Sequence, residues 1–399
     1  MIDKDFQVIH ISTGHDGGAG IAARRLNKAL CNSGINSRFI SLRNKDYHPT
    51  KFENEFQRNF FERFFSGITA KIQVKLSKKF FFSFYSFDVL SQKKLAKFIS
   101  SSSTILHFHN WFNLVDQKKI SKLLRLGYPV VLTLHDERFY TGGCHHAFDC
   151  IGFKDGCNNC PQVDKIFKIL PSSNLSKSVA LFKSRAELLQ IIAPSMWIYK
   201  RAKESRLLSN HNVRFIPNTL GDFGKLKSNQ KNNFPNLSEP KTIGVASMDG
   251  NSYLKGADII KNLQELFIEN SLDYKFVFLS EERFRGDSQL NFWQVIDVLL
   301  VPSRADNSPN VIHEAKHFDI PVIATDVGGI TELLEPNFDE LIPLDQLSAH
   351  VILGLLNDWH IKSRKLNLTK MQNRFSVYSN DSINDHIQLY KSLLNKTLS

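Results

Sequence analysis

Short apolar runs alternate with segments of helical spacing along most of this 399-residue chain. A buried strand is predicted wherever a short run of apolar and branched residues stands between turn residues. Two series of such runs follow each other, at 6–11, 37–42, 104–109, 129–135 and 191–194, and then at 242–247, 276–280, 295–301 and 322–325. Helices are predicted between them, for example at 21–30 and 311–318. This alternation indicates an α/β protein with doubly wound parallel sheets.

The two series of strands are separated by residues 220–240, which are rich in Lys, Asn, Ser and Gly and show no apolar periodicity. Such a segment predicts a linker, and a chain of this length exceeds one ordinary core. We therefore predict an N-terminal domain over 1–217 and a C-terminal domain over 218–380, with 381–399 as a candidate to cross back to the first. Ligands of such sheets lie beyond the carboxyl ends of the strands, so a cleft shared by the two domains is expected.

The segment 301–314 (VPSRADNSPNVIHE) carries the strongest functional pattern of the sequence. It begins at the end of a predicted strand, passes through a polar turn and enters a predicted helix. Asp306 and Glu314 flank the turn, and Pro321 and the pair Gly328-Gly329 follow the helix. Backbone N–H groups at a helix N-terminus stabilise a phosphate, and a carboxylate one turn into the helix accepts hydrogen bonds from a ribose. The pattern therefore predicts a nucleotide site.

These residues resemble the acidic-x7-acidic motif of retaining glycosyltransferases of the GT-B fold, family 4. The chain has Asp306 where that motif usually has Glu, so the first carboxylate lies about one methylene further back. The resemblance implies a GT-B architecture of two facing Rossmann-like domains, retention of anomeric configuration and no catalytic metal. It also implies a nucleotide-sugar donor in the C-terminal half, with Asp306 orienting the sugar and Glu314 at the ribose. The alternative is a surface loop with two unrelated acids.

Several further positions match this resemblance. Lys255 stands where the family places a lysine on the donor diphosphate, while the usual arginine is absent from 244–247, which leaves Arg304 as a candidate substitute. The turn residues expected to contact the donor are Asn307, Ser308 and Asn310. An ordinary exposed lysine is the alternative for Lys255. The segments Ala193-Pro194-Ser195 and Pro217-Asn218-Thr219 resemble the family's last N-domain helix start and its hinge.

Two features of the N-terminal half also point to a ligand. Gly17 and Gly18 open a glycine-rich turn between a strand and a helix, where the backbone can approach a ligand closely. A plain tight turn is the alternative. His135 ends the strong strand run 130–134, and the resemblance implies that it contacts the transferring sugar. A structural histidine is the alternative there. His107 and His109 end another predicted strand in the same way.

Four of the five cysteines, Cys144, Cys150, Cys157 and Cys160, fall within seventeen residues. Clustered cysteines in a cytosolic protein favour a metal over disulfides, and four thiolates satisfy tetrahedral Zn²⁺. Only Cys157-x2-Cys160 has the spacing typical of zinc sites. A structural zinc site and four reduced thiols therefore both remain as interpretations.

The net charge of +12 is unevenly distributed. Residues 1–217 hold 33 basic and 16 acidic side chains, and the remainder holds 18 and 23. This asymmetry suggests an acidic partner for the N-terminal half. The segment 56–82 interleaves Phe residues at helical spacing with Lys and Arg, a pattern that suits an anionic membrane surface. Packing of the same Phe residues on the sheet is the equal alternative.

The sequence as a whole predicts a hexosyltransferase-type enzyme that moves a sugar from a nucleotide-sugar to a saccharide or lipid-linked acceptor. The expected setting is surface polysaccharide assembly, in the cytoplasm and peripherally at the inner face of the cytoplasmic membrane. The acidic start of the chain is unlike a secretory signal, and no apolar run approaches bilayer length. A nucleotide-sugar epimerase of the same fold and a non-catalytic nucleic-acid or anion binder are the alternatives. No nucleic-acid motif supports the latter.

Overall fold

The computed structural model describes residues 6–42, 48–58, 62, 64, 67–68, 89–101, 103–221, 242–246, 252–280, 289–336, 338–363 and 376–398. The chain divides into two compact units. Unit 1 comprises Met1–Gly221 together with Asn380–Ser399, and unit 2 comprises Asp222–Ser379. Within the described residues, no helix is both long enough and apolar enough to cross a membrane.

Unit 1 contains a parallel sheet of seven strands in the order β3-β2-β1-β4-β5-β6-β7. The strands are β1 (Gln7–Ser12), β2 (Asn36–Leu42), β3 (Glu53–Phe56), β4 (Thr104–Asn110), β5 (Val130–Thr133), β6 (Leu189–Ala193) and β7 (Val213–Phe215). The helices are α1 (Gly17–Asn32), α2 (Gln92–Ala96), α3 (Gln117–Arg125), α4 (Ile169–Leu181) and α5 (Met196–Glu204). The chain winds in one direction from β1 to β3 and in the other from β4 to β7, so the order reverses between β1 and β4.

The C-terminal helix α10 (Ser376–Leu398) contributes to the core of unit 1. Its side chains Leu389, Tyr390 and Leu393 are buried in one cluster with Val8 of β1 and Ile105 of β4. Every residue of β1 is buried, because helices cover both faces of the parallel sheet. This packing explains why the strands are nearly continuous apolar runs rather than alternating ones.

Unit 2 contains a parallel sheet of five strands in the order β12-β11-β10-β8-β9. The strands are β8 (Thr242–Val245), β9 (Lys275–Phe278), β10 (Val298–Val301), β11 (Val322–Asp326) and β12 (Glu340–Pro343). The helices are α6 (Ala257–Glu269), α7 (Gln289–Val295), α8 (Asn310–His317) and α9 (Ala349–Ser363). Here the order reverses between β8 and β10. The prediction of two doubly wound parallel sheets is confirmed.

One element prediction was wrong in detail. The apolar run 295–301 is not one strand, because Val295 ends α7 and the strand β10 begins only at Val298. The intervening Asp297 accepts a hydrogen bond from the Thr242 N–H at 2.9 Å, which fastens this turn to the start of β8. Phe56 lies in β3 and is buried, which agrees for this residue with the alternative of packing on the sheet.

The structure describes only some of the other residues of the basic aromatic segment 56–82. Phe64 and Ile68 are exposed, whereas 59–61, 63, 65–66 and 69–88 lie outside the described residues. The membrane-surface hypothesis therefore stays a prediction. Most of the predicted linker, at 222–240, also lies outside the described residues.

Candidate functional site

Unit 2 places its predicted donor residues at the carboxyl ends of β8 and β10, where the strand order reverses. Neighbouring parallel strands that continue in opposite directions leave a crevice between their loops, and ligands bind in that crevice. The loop after β8 leads through a 3₁₀ turn (Tyr253–Lys255) into α6, and the loop after β10 leads into α8. The two candidate loops are thus neighbours because their strands are.

Lys255 and Asp306 meet at this edge of the sheet. The Lys255 ammonium lies 2.5 Å from Oδ2 of Asp306, although the two residues are 51 positions apart. The side chain of Lys255 is 42% exposed and that of Asp306 is 13% exposed. A half-exposed ammonium held by a mostly buried carboxylate is both oriented and accessible to an anion.

Two glycines hold the loops of this edge in close contact. Gly256 has φ +74°, and a Cβ there would lie 2.2 Å from the carbonyl oxygen of Pro302. Gly328 has φ +62°, and a Cβ there would lie 1.6 Å from the carbonyl oxygen of Asp306. Only glycine satisfies both the left-handed backbone and the close approach. The glycines that follow Lys255 and β11 therefore fix the distance between the loops that carry the candidate residues.

Replacing Gly328 by alanine is expected to displace the Asp306 loop, because the clashing partner is backbone and cannot rotate away. The left-handed conformation alone costs an L-residue about 1–2 kcal/mol, and the clash adds to that cost. Thermal melting should show a lower midpoint, and affinity for any nucleotide that binds unit 2 should fall. Gly354→Ala is the matched control, since Gly354 is helical and no atom lies within 4 Å of its Cβ position. Equal melting midpoints for the two variants would contradict this account.

Arg304 is placed beside the donor edge but is already engaged. Its guanidinium donates to both oxygens of Asp258, at 2.7 and 2.6 Å, and also to the carbonyl oxygen of Tyr253 at 2.7 Å. The same group stacks on the Tyr253 ring at 3.8 Å from the centroid. The hydrogen bonds from Arg304 lower the pKa of the Asp258 carboxyl. Arg304 therefore fastens the turn that presents Lys255, and its direct contact with the donor stays a prediction.

The remaining donor candidates lie on the loop after β10 and on α8. Asn307 is buried, Ser308 and Asn310 are partly buried, and Ser308 Oγ lies 3.3 Å from Nε2 of His313. Glu314 is the fifth residue of α8 and is only 2% exposed. Pro309 is the N-cap residue of α8 and its side chain makes no capping hydrogen bond, while the Ile312 N–H donates to the Pro309 carbonyl oxygen at 3.1 Å. The positive end of the α8 dipole faces this edge, where it favours an anion.

In unit 1 the glycine-rich turn lies at the corresponding reversal of strand order, after β1. Gly17 and Gly18 are the first two residues of α1 and are exposed, and Gly17 has φ +71°. Gly20 is the member required by packing, since a Cβ there would lie 2.6 Å from the carbonyl oxygen of Gly14. A ligand role for Gly17 and Gly18 stays a prediction.

His135, which is partly buried, continues a chain of buried histidines from β1 and β4. His135 Nε2 lies 3.1 Å from Nδ1 of His109, and His109 Nε2 lies 3.0 Å from Nδ1 of His10. A fourth ring, His107, is bonded to the Tyr390 hydroxyl and the Thr133 hydroxyl, both at 2.8 Å. His10 was not among the predicted site residues. Its signal in the sequence is a histidine within a predicted buried strand.

These histidines are neutral at physiological pH. Burial lowers the pKa of His135 to about 4 and that of His10 to about 3, and it lowers the pKa of His109 well below the usual 6.5. A neutral imidazole has one N–H donor and one acceptor nitrogen, so the position of the proton on one ring determines its position on the next ring of the chain. The arrangement orients His135 as a neutral hydrogen-bonding group rather than a charged one.

Two ion pairs begin directly after His135, and the sequence predicted neither. In one pair the partners are far apart in the chain, and in the other both residues are of types that usually lie at the surface. Asp136 is ion-paired with Arg138, whose guanidinium lowers the pKa of that carboxyl well below its usual value despite burial. Glu137 is 1% exposed and accepts hydrogen bonds from Arg201 Nε at 2.7 Å and from the Tyr140 hydroxyl at 2.9 Å. These pairs anchor the segment that carries His135.

The four clustered cysteines line one pocket in the loop that follows His135. Cys144, Cys157 and Cys160 are buried, Cys150 is partly buried, and all are unpaired thiols. A different group of possible metal ligands, His10, His107 and His109, has its ring nitrogens within 4.8 Å of one another in the described part of the chain.

Comparison with known proteins agrees with this geometry. Residues 257–358 match the family model described as Glycosyl transferases group 1. The chain is 24% identical over 298 residues to the "Putative colanic acid biosynthesis glycosyl transferase WcaC" of Escherichia coli (strain K12), with 64% of this chain and 70% of that protein covered.

Solved structures share the fold along nearly the whole chain. A glycosyltransferase from Rickettsia africae ESF-5 gives a TM-score of 0.52 at 14% identity, covering 98% of this chain and 99% of that one. Anabaena Alr3699/HepE in complex with UDP and glucose gives 0.51 at 16% identity, with 98% and 99% covered. These matches confirm the GT-B fold class, and with the group 1 domain they support the glycosyltransferase superfamily for this chain.

Proposed function

We propose that the chain is a retaining glycosyltransferase of family 4 that needs no catalytic metal. It moves a hexose from a nucleotide-sugar to a saccharide or lipid-linked acceptor during surface polysaccharide assembly. The observation that carries the proposal is the meeting of Lys255 and Asp306 at the strand-order reversal of unit 2, with Glu314 buried on the helix that follows. The names of the WcaC and HepE relatives support the polysaccharide setting and the nucleotide-sugar donor.

The chemistry requires stabilisation of a departing nucleoside diphosphate. As the bond from the sugar to the diphosphate breaks, negative charge develops on the phosphate oxygens, and preorganised donors stabilise that charge most in the transition state. Lys255 and the N-terminus of α8 would supply this stabilisation in unit 2. Glu314 would accept the ribose hydroxyls, and Asp306 would hold Lys255 until the diphosphate arrives and then orient the sugar.

We assign two roles to the edge of unit 1 that carries His135. It would bind the acceptor and contact the transferring sugar. Burial keeps the His135 imidazole uncharged above about pH 5, one unit above its pKa of about 4. Its role is therefore to donate or accept one hydrogen bond at a fixed position. The excess positive charge of 1–217 suits an acidic acceptor such as a phosphate-linked lipid.

A thermal-shift panel tests the donor site. UDP, GDP, UDP-glucose and GDP-mannose are each added to the wild type, and one base is expected to raise the melting midpoint, because a ligand that binds only the native state stabilises it. Glu314→Gln keeps the shape of the side chain and removes the charge. We expect it to weaken nucleotide binding about tenfold or more, since hydrogen bonds to a charged group contribute about 1.5–3 kcal/mol. Glu265→Gln is the matched control, because Glu265 is exposed on α6.

The result of the panel decides between the proposed function and its alternatives. If no nucleotide shifts the wild type, or if Glu314→Gln and Glu265→Gln behave alike, the donor assignment is wrong. Product analysis with the donor alone identifies an epimerase, which converts its substrate without an acceptor. A nucleic-acid binder would instead retain polynucleotides with a steep dependence on salt.

A further inference from the structure

Part of the loop between β5 and α4 is buried although the loop has almost no regular secondary structure. It runs from 141 to 164, and the side chains of Cys144, Cys157 and Cys160 within it are at most 8% exposed. A buried loop must satisfy its backbone polar groups without a helix or sheet ladder. Its conformation is also costly, since Cys157 has φ +60°. Such a loop requires additional links to stay in one conformation.

The four sulfur atoms of this loop lie around one pocket, which is lined by Cys144, Cys150, Cys157 and Cys160. The Gly152 N–H donates to Cys150 Sγ at 3.4 Å. Four thiolates around one cavity are the ligand set that tetrahedral Zn²⁺ takes in structural sites.

Positive groups surround the loop. The Arg201 guanidinium donates to the carbonyl oxygens of Phe148 and Cys150, both at 3.3 Å, while its Nε pairs with Glu137. Arg206 packs against Gly156, where a Cβ would lie 2.8 Å from its Nη1. A metal bound by four thiolates has a net negative charge, and burying such a charge is tolerated only beside compensating groups. The two arginines lie where they would offset it.

We propose that Cys144, Cys150, Cys157 and Cys160 bind one structural Zn²⁺ that fixes the loop following His135. Zinc takes four sulfur ligands at about 2.3 Å in a tetrahedron, so the metal would draw the four side chains inward by rotation within the pocket that they line. The site is closed, with no position for water or substrate, and its role is structural. It is independent of the proposed function, since the loop packs within unit 1 whatever the chain binds.

The histidine group near the sheet is a poorer metal site. The rings of His107 and His109 each use both nitrogens in hydrogen bonds to other side chains. A metal there would have to break those bonds inside the core, whereas the N–H group that donates to Cys150 Sγ can also donate to a metal-bound thiolate.

Metal analysis of the full-length protein, purified without chelator from zinc-supplemented cells, tests the proposal. We expect one zinc per chain, released in proportion when a mercurial reagent titrates four thiols. Replacement by Co²⁺ should give the visible and thiolate-to-metal absorption bands of tetrahedral sulfur coordination. Both measurements use the wild type, so they hold even if a variant fails to fold.

Variants locate the site. Cys160→Ser is expected to lose the zinc, and Cys150→His should retain it, since three cysteines and one histidine also form structural zinc sites. Cys31→Ser is the control that should leave the metal unchanged, because Cys31 lies outside the loop and donates to the Ser37 carbonyl oxygen. Absence of metal after reconstitution, with four freely reactive thiols, would overturn the proposal. Two disulfides in the native protein would also overturn it.

Discussion

Replacing Lys255 by alanine is expected to lower the rate of sugar transfer about 100- to 1,000-fold, the usual effect of removing one group that stabilises developing negative charge. The expectation rests on how firmly the ammonium is placed. Gly256 brings the turn against Pro302, and Arg304 ties the same turn to Asp258. Asp306 then holds the ammonium itself at 2.5 Å. A cation fixed in this way loses little freedom when the diphosphate binds.

Kinetic constants distinguish this role from simple substrate binding. An interaction made in the transition state lowers kcat and kcat/KM together, whereas uniform binding changes only KM. The measurement is release of the nucleoside diphosphate from whichever nucleotide-sugar stabilises the protein in the thermal-shift panel. Lys255→Arg should retain part of the activity, because it keeps the charge but changes its shape.

Lys261→Ala is the control for Lys255→Ala. Lys261 is the fifth residue of α6, and its side chain is 76% exposed. Its Nζ lies 3.9 Å from Oε1 of Glu265. Its removal should leave turnover within about twofold of the wild type, since surface ion pairs contribute little. Equal rates for the two variants would remove Lys255 from the mechanism while leaving nucleotide binding by Glu314 open to its own test.

The sequence places these candidate residues beside strands that are easy to recognise, so their meeting at one edge of the sheet could be expected. Lys255 and the 301–314 segment each follow a short apolar run, and parallel strands bring their carboxyl ends to one edge. Short edge strands were harder to predict. Residues 53–56, 213–215 and 340–343 form β3, β7 and β12, and each has only three or four residues with too little periodicity to separate it from a loop.

Pairing between residues that are far apart in sequence cannot be predicted from local patterns. Glu137 and Arg201 are 64 positions apart, and nothing near either residue indicates that both become buried. His10 shows the same limit, since its contact with His109 joins two strands that are neighbours only after the sheet has formed. Local patterns predict elements and the loops between them, whereas buried polar pairs depend on the register of the completed sheet.

A buried ion pair of this kind lies at the opposite edge of unit 2. Lys316 of α8 is ion-paired with Asp339, which immediately precedes β12, and both side chains are at most 2% exposed. Asp339 also accepts the N–H groups of Val322 at 2.9 Å and Glu335 at 2.7 Å. Burial lowers the pKa of Lys316 to about 7, because the ammonium loses its hydration there, and the carboxylates of Glu335 and Asp319 oppose this shift. Asp339 is the carboxylate in direct contact with the ammonium.

Asp339→Ala is expected to reduce the free energy of unfolding of unit 2 by about 3–5 kcal/mol, the usual cost of leaving one charge of a buried pair alone. The urea midpoint of the full chain, followed by Trp293 fluorescence from the core of unit 2, measures the loss. The double variant Lys316→Met with Asp339→Asn should recover part of it, since no charge then stays buried.

Glu265→Ala breaks an exposed pair on the same unit and should change stability by no more than about 0.5 kcal/mol. A loss for Asp339→Ala as small as that of Glu265→Ala would mean that water reaches the Lys316 ammonium in solution. Because Asp339 lies at the amino ends of β11 and β12, away from the Lys255 edge, the nucleotide affinity of the protein that remains folded should be unchanged. Asp339→Ala is thus expected to lower the stability of this unit without changing its donor binding.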